Sequence, residues 1–100
     1  MTELSEQRTI VIVDDEERVL KTIANLLSVE TDYTVAVFLS PLEAVNFLDT
    51  NHVDLIISDY LMPDMDGISF LSRARDLQPE APRIILTAYA DKQNAIRAIN

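Results

Sequence analysis

Four oxygen-bearing side chains stand where apolar runs of the chain break off. Asp14 and Asp15 follow Thr9-Ile10-Val11-Ile12-Val13, Asp59 follows Val53-Asp54-Leu55-Ile56-Ile57-Ser58, and Thr87 closes Arg83-Ile84-Ile85-Leu86-Thr87. If those runs are neighbouring strands about 4.8 Å apart, their ends converge on one small region. Three carboxylates gathered there repel one another, each pair by about 3 kcal/mol at 5 Å and an effective dielectric near 20. A divalent cation relieves that repulsion, and an all-oxygen set suits Mg²⁺, which takes few carboxylates and keeps several waters. Each residue alone also has a plain structural reading. Asp14 could cap the first helix with Glu17 completing a capping box. Asp59 could form a turn, and Thr87 could be an ordinary strand residue. Their joint placement at strand ends favours a site.

The elements that must position these residues follow from apolar spacing. The β-branched run 9–13, apolar on both faces, suits a central parallel strand. From Glu16 the apolar residues Val19, Leu20, Ile23, Leu26 and Leu27 recur on one helical face, predicting a first helix to about Val29. Residues 34–38 predict a second strand. Ser40 as N-cap, Pro41 at the first helical position and Glu43 closing a capping box begin a second helix, with Leu42, Val45, Phe47 and Leu48 on its buried side. The third strand is 53–58. Pro63 and Gly67 punctuate a loop, after which Ile68, Leu71, Ala74 and Leu77 return to helical spacing. Residues 78–82 break the chain before a fourth strand over 83–87, and Asp91 opens a last helix. The order βαβαβαβα implies a parallel sheet with right-handed crossovers and helices on both faces. Ligands of such sheets bind outside the carboxyl ends of the strands.

Composition narrows the chemistry. The chain has 100 residues, no cysteine, one histidine (His52) and one glycine (Gly67). A thiolate metal site, a cysteine nucleophile and a multi-histidine zinc site are therefore excluded, as are glycine-rich nucleotide-binding loops. Aligning Gly67 with the glycine of a calcium-binding helix–loop–helix puts Met62 and Arg73 where acids belong, so that motif fails. The formal net charge is −9, and 14 of the 17 acidic residues fall within 1–67 against 3 basic ones. That balance argues against a general nucleic-acid surface. No apolar run reaches the roughly 18 residues of a membrane span, and residues 1–8 read as a flexible N-terminal tail rather than a secretion signal. A cytoplasmic location is the expectation.

The segments V-I-V-D-D-E (11–16), D-L-I-I-S-D-Y-L-M-P-D-M-D-G (54–67) and I-I-L-T-A-Y-A (84–90) carry a family resemblance. Over residues 9–100 the chain resembles the receiver domain of bacterial two-component response regulators. The resemblance implies a flavodoxin-like, doubly wound parallel sheet of strand order 2-1-3-4. It implies that Asp59 accepts a phosphoryl group from a partner histidine kinase or phosphotransfer protein. Asp15 and Asp59 would ligate Mg²⁺ directly, Asp14 largely through water, and the Leu61 carbonyl would complete the protein ligands. Thr87 would be the switch hydroxyl that moves to the phosphoryl oxygen, changing a surface read by a downstream effector domain. Leu61 and Tyr89 would hinder attacking water, so slow dephosphorylation is expected.

Family members usually have five βα units, and these 100 residues hold four. The expectation is a receiver domain over 9–100 truncated after the fourth unit, without the fifth strand's lysine and switch aromatic. Lys21 and Lys92 fall in helical positions and do not replace that lysine. A fold so shortened is expected to be marginal alone and to self-associate or exchange segments between chains. Two other functions compete with a signalling module. A Mg²⁺-dependent phosphotransferase with an Asp nucleophile would normally carry a second Asp where Leu61 stands. A non-phosphorylated interaction module would leave the acid cluster without a purpose.

Overall fold

A computed structural model describes residues 7–86. Within that span β1 (Thr9–Val13), α1 (Glu17–Glu30), β2 (Thr34–Phe38), α2 (Pro41–Thr50), β3 (Leu55–Asp59), α3 (Gly67–Leu77) and β4 (Arg83–Leu86) follow one another. The four strands form one sheet in the order β2-β1-β3-β4, and every pairing is parallel. The doubly wound sheet of order 2-1-3-4 is thus present. Thr87, Tyr89, Asp91, Lys92 and the last helix expected from the sequence lie outside the described residues, as do residues 1–6 of the N-terminal tail.

β1 is central because four of its five residues feed two cores. Val11 and Val13 point to one face and pack with Ala44, Val45, Leu48, Phe70, Leu71 and Ala74 of α2 and α3. Ile10 and Ile12 point to the other face, with Leu20 of α1 and Ile57 of β3. A strand with both faces buried needs continuous rather than alternating apolar character, and T-I-V-I-V supplies it. Among the described residues, no helix is long and apolar enough to cross a membrane.

Local signals set the helix starts. Ser40 Oγ accepts from the Glu43 N–H (3.4 Å) and Pro41 opens α2, as its sequence implies. The Glu43 carboxylate makes no return bond to the Ser40 N–H, so the expected capping box is only half formed. α3 starts with Asp66 as its cap, whose carboxylate accepts from the Ser69 N–H (2.7 Å). Three local expectations are corrected. The cap of α1 is Glu16, with no side-chain capping bond, so Asp14 is not the N-cap and the Asp14–Glu17 capping box does not form. Leu42 is 51% exposed; Ala44 and Pro41 take the buried positions of α2 beside Val45 and Leu48. Leu26 is 58% exposed, because α1 turns Leu20, Ile23 and Leu27 toward the sheet. β3 also starts later than the apolar pattern suggests, at Leu55, because Asp54 is occupied with a bond to the backbone of Thr9.

Candidate metal and phosphoryl-acceptor site

The site is built by register. β1 and β3 run side by side with Val13 opposite Ser58, so the residues that follow, Asp14 and Asp59, emerge at the same level. Asp15 is the next residue along from Asp14. One carboxylate oxygen from each of Asp14, Asp15 and Asp59 lies within 4.8 Å of the other two. Asp14 is buried, Asp59 half-buried and Asp15 exposed, so the cluster grades from the protein interior to solvent.

The surrounding backbone is held firmly. The Asp14 N–H donates to the Phe38 carbonyl (3.1 Å), tying the end of β1 to the end of β2. The Asp14 carboxylate turns back and accepts from the Glu16 N–H (2.9 Å), which leads the chain out of the strand and into α1. The Tyr60 N–H donates to the Leu86 carbonyl (3.0 Å), which fixes the exit of β3 against β4.

Electrostatics mark the cluster as crowded. Burial pushes the Asp59 carboxyl up to about 6, and the negative charge of Asp14 and then Asp15 adds to that. Burial also raises Asp14, against the opposing hydrogen bond from Glu16 and with a further push from Asp15. Both shifts state that the folded chain resists holding all of this negative charge. Among the described residues no Lys or Arg makes an ion pair with these three carboxylates. The oxygen-only donor set, open to water on the Asp15 side, fits a small hard divalent cation.

Of the residues marked in the sequence, the structure brings Asp14, Asp15 and Asp59 together. Leu61 stands two residues beyond Asp59 with its side chain 57% exposed, and Thr87 lies outside the described residues. Sequence reasoning missed Glu16, whose N–H orients Asp14 and whose charge adds to the repulsion on Asp59. The D-D-E run was visible, but only the fold shows that its third acid caps α1 beside the site.

The family model for the response regulator receiver domain matches residues 10–100. The transcriptional regulatory protein GlrR of Escherichia coli K12 is 36% identical over 89 residues, which are 89% of this chain and 20% of that protein. This chain spans about a fifth of the length of such curated relatives. The signal receiver domain of an HD domain-containing protein from Pseudomonas fluorescens Pf-5 superposes with a TM-score of 0.85 at 34% identity, covering 95% of this chain and 75% of that one. A response regulator from Burkholderia pseudomallei, solved with a phosphorylated aspartic acid, a calcium ion and citrate, gives 0.82 at 27% identity, over 93% of this chain and 54% of that one.

Proposed function

Because this chain belongs to the response regulator receiver domain family, we propose that Asp59 accepts a phosphoryl group and that the acidic cluster around it holds Mg²⁺. The observation that carries this reading is the convergence of the three carboxylates, with ligand oxygens within 4.8 Å, at the carboxyl ends of β1 and β3. The phosphorylated aspartic acid and calcium ion in the Burkholderia regulator support it.

Asp15, Asp59 and the Leu61 carbonyl would hold the cation directly, and Asp14 would act on it through water. When bound, the cation offsets the charge of the cluster and of the incoming phosphoryl oxygens. An Asp59 oxygen attacks phosphorus in line. The new bond is the Oδ–P bond of an acyl phosphate, and the bond that breaks joins phosphorus to the donor's nitrogen or oxygen, which leaves with the electron pair. The rigid end of β3 supplies the positioning such a transfer mainly needs. The acyl phosphate adds negative charge and acceptor oxygens. Thr87 then binds a phosphoryl oxygen and draws the chain that follows β4 with it, which alters the surface presented to an effector.

The partners in this reading are a histidine kinase or phosphotransfer protein on the input side and an effector domain on the output side. The chain acts as a signalling module rather than as a turnover enzyme, since Leu61 stands where an acid would be needed. Self-association remains part of the proposal, supported by the exposed Leu26, Val29 and Ile84. A folded monomer in sedimentation at micromolar concentration would remove it.

Incubation with Mg²⁺ and a small acyl phosphate, followed by intact-mass measurement, tests the function. A gain of one phosphoryl group that is lost in Asp59→Ala supports it. Continuous donor turnover points instead to a phosphotransferase, and no gain points to an interaction module.

A further inference from the structure

The first turn of α3 is seated directly on the peptide that carries Asp59. The Gly67 N–H donates to the Tyr60 carbonyl at 2.7 Å. A Cβ at position 67 would stand 3.0 Å from Tyr60 Cα and 3.1 Å from the Asp59 carbonyl carbon, and closer still to the Asp59 carbonyl oxygen. The obstacle is backbone, not the free end of a side chain. It can yield only if α3 lifts away or the Asp59–Tyr60 peptide shifts. Gly67 does not have a positive φ, so space and not conformational freedom demands glycine here.

α3 has little freedom to lift. Asp66 caps it, and Phe70, Leu71 and Ala74 are sunk in the core with α2 and β1. On the same face of the sheet as α3, the fully buried Ser58 donates its Oγ hydrogen to the Asp59 carbonyl oxygen at 2.9 Å. That oxygen therefore meets both the Ser58 hydroxyl and the bare Cα of Gly67.

We propose that Gly67 is a positioning residue for the phosphoacceptor, with Ser58 pinning the same carbonyl from within the sheet. The proposal rests on the reading of Asp59 given above. The Asp59 backbone is held so that its carboxylate stays level with Asp14 and Asp15. A side chain at 67 moves the peptide and with it the attacking oxygen. Misplacing a reacting atom by about 1 Å can cost about 100-fold in rate.

The test uses the full chain, a small acyl phosphate and saturating Mg²⁺, with the rate of phosphoryl gain followed against donor concentration and scaled to folded protein. Gly67→Ala is expected to lower the maximal rate by about 10- to 100-fold while leaving the half-saturating donor concentration unchanged. Leu20→Ala, a change in the opposite core formed with Ile10, Ile12 and Ile57, is expected to lose stability but keep the maximal rate. Equal maximal rates in these two variants would overturn the proposal. If Gly67→Ala does not fold, the Ser58 pair decides: Ser58→Ala must slow the reaction and Ser58→Thr restore it, and an unchanged rate in Ser58→Ala overturns the proposal. A parent protein that gains no phosphoryl group refutes the assignment of Asp59 instead. The seat is then judged by the resonances of the Asp59 carbonyl and Tyr60 amide, which Gly67→Ala must move and Leu20→Ala must not.

Discussion

Asp54 and Asp59 bracket β3, one just before its first residue and one at its last, and their surroundings are opposite. At the amino end, Asp54 Oδ2 accepts from the Thr9 N–H (2.8 Å), its own N–H donates to the Thr9 carbonyl (2.8 Å), and His52 Nε2 meets Oδ1 at 3.2 Å. The bond from Thr9 holds the Asp54 carboxyl below the usual range, with His52 helping. At the carboxyl end, burial and two neighbouring carboxylates push Asp59 up. The same side chain is therefore a fastener where hydrogen-bond donors dominate and is held against its charge where burial and other carboxylates dominate. A carboxylate whose ionisation the fold resists is a candidate for a functional role, and one whose ionisation the fold favours is accounted for by structure.

The largest effect should come from neutralising each end in turn. Asp59→Asn is expected to abolish phosphoryl gain by intact mass, whereas Asp54→Asn keeps it. Phosphorylation lost equally in both would erase the distinction between the two ends.

Stability should change with opposite sign. Asp54→Ala removes a hydrogen bond to a charged acceptor and leaves the Thr9 N–H short of a partner, a loss of about 1–3 kcal/mol in urea unfolding at pH 7. Without metal, Asp59→Asn should gain about 1–2 kcal/mol at pH 7, after discounting for the solvent that reaches the site. Asp59 ionises near pH 6 when folded, against an ordinary aspartate value of 3.8. The stability linked to its proton is thus complete below about pH 4 and lost as pH rises through 6. The gap between parent and Asp59→Asn should therefore open across that window. For Asp54 the sign reverses: its contribution is present above the ordinary value of 3.8 and fades as pH falls below it.

The smallest effect concerns the mouth of the site. Leu61, 57% exposed, stands two residues from the acceptor, and Leu61→Asn should shorten the acyl-phosphate lifetime by admitting and orienting water. An unchanged lifetime would remove Leu61 as a barrier.

Much of this was legible in residue order. Continuous apolar runs ending in Asp gave β1 and β3 and their carboxyl ends, because a strand buried on both faces leaves no alternation to misread. Ser40-Pro41 marked the start of α2 for the same local reason. Other features depended on the fold. Asp14 looked like a helix cap, but the turn out of β1 uses its carboxylate one step earlier, at the Glu16 N–H. Leu42 and Leu26 fit helical spacing yet face solvent, since spacing gives a stripe and only packing decides where the stripe ends. Gly67 was read as loop punctuation. The approach of its Cα to the Asp59 peptide is a distance between segments, which sequence does not contain.

The most direct test of the acidic pocket is a carboxyl-carbon NMR titration of Asp54 and Asp59, with and without Mg²⁺. Asp59 should titrate near pH 6 in metal-free solution and move well down when Mg²⁺ is added. Asp54 should stay below the ordinary carboxylate range in both conditions. An Asp59 midpoint at the ordinary value, indifferent to Mg²⁺, would contradict a crowded, cation-holding pocket at the end of β3.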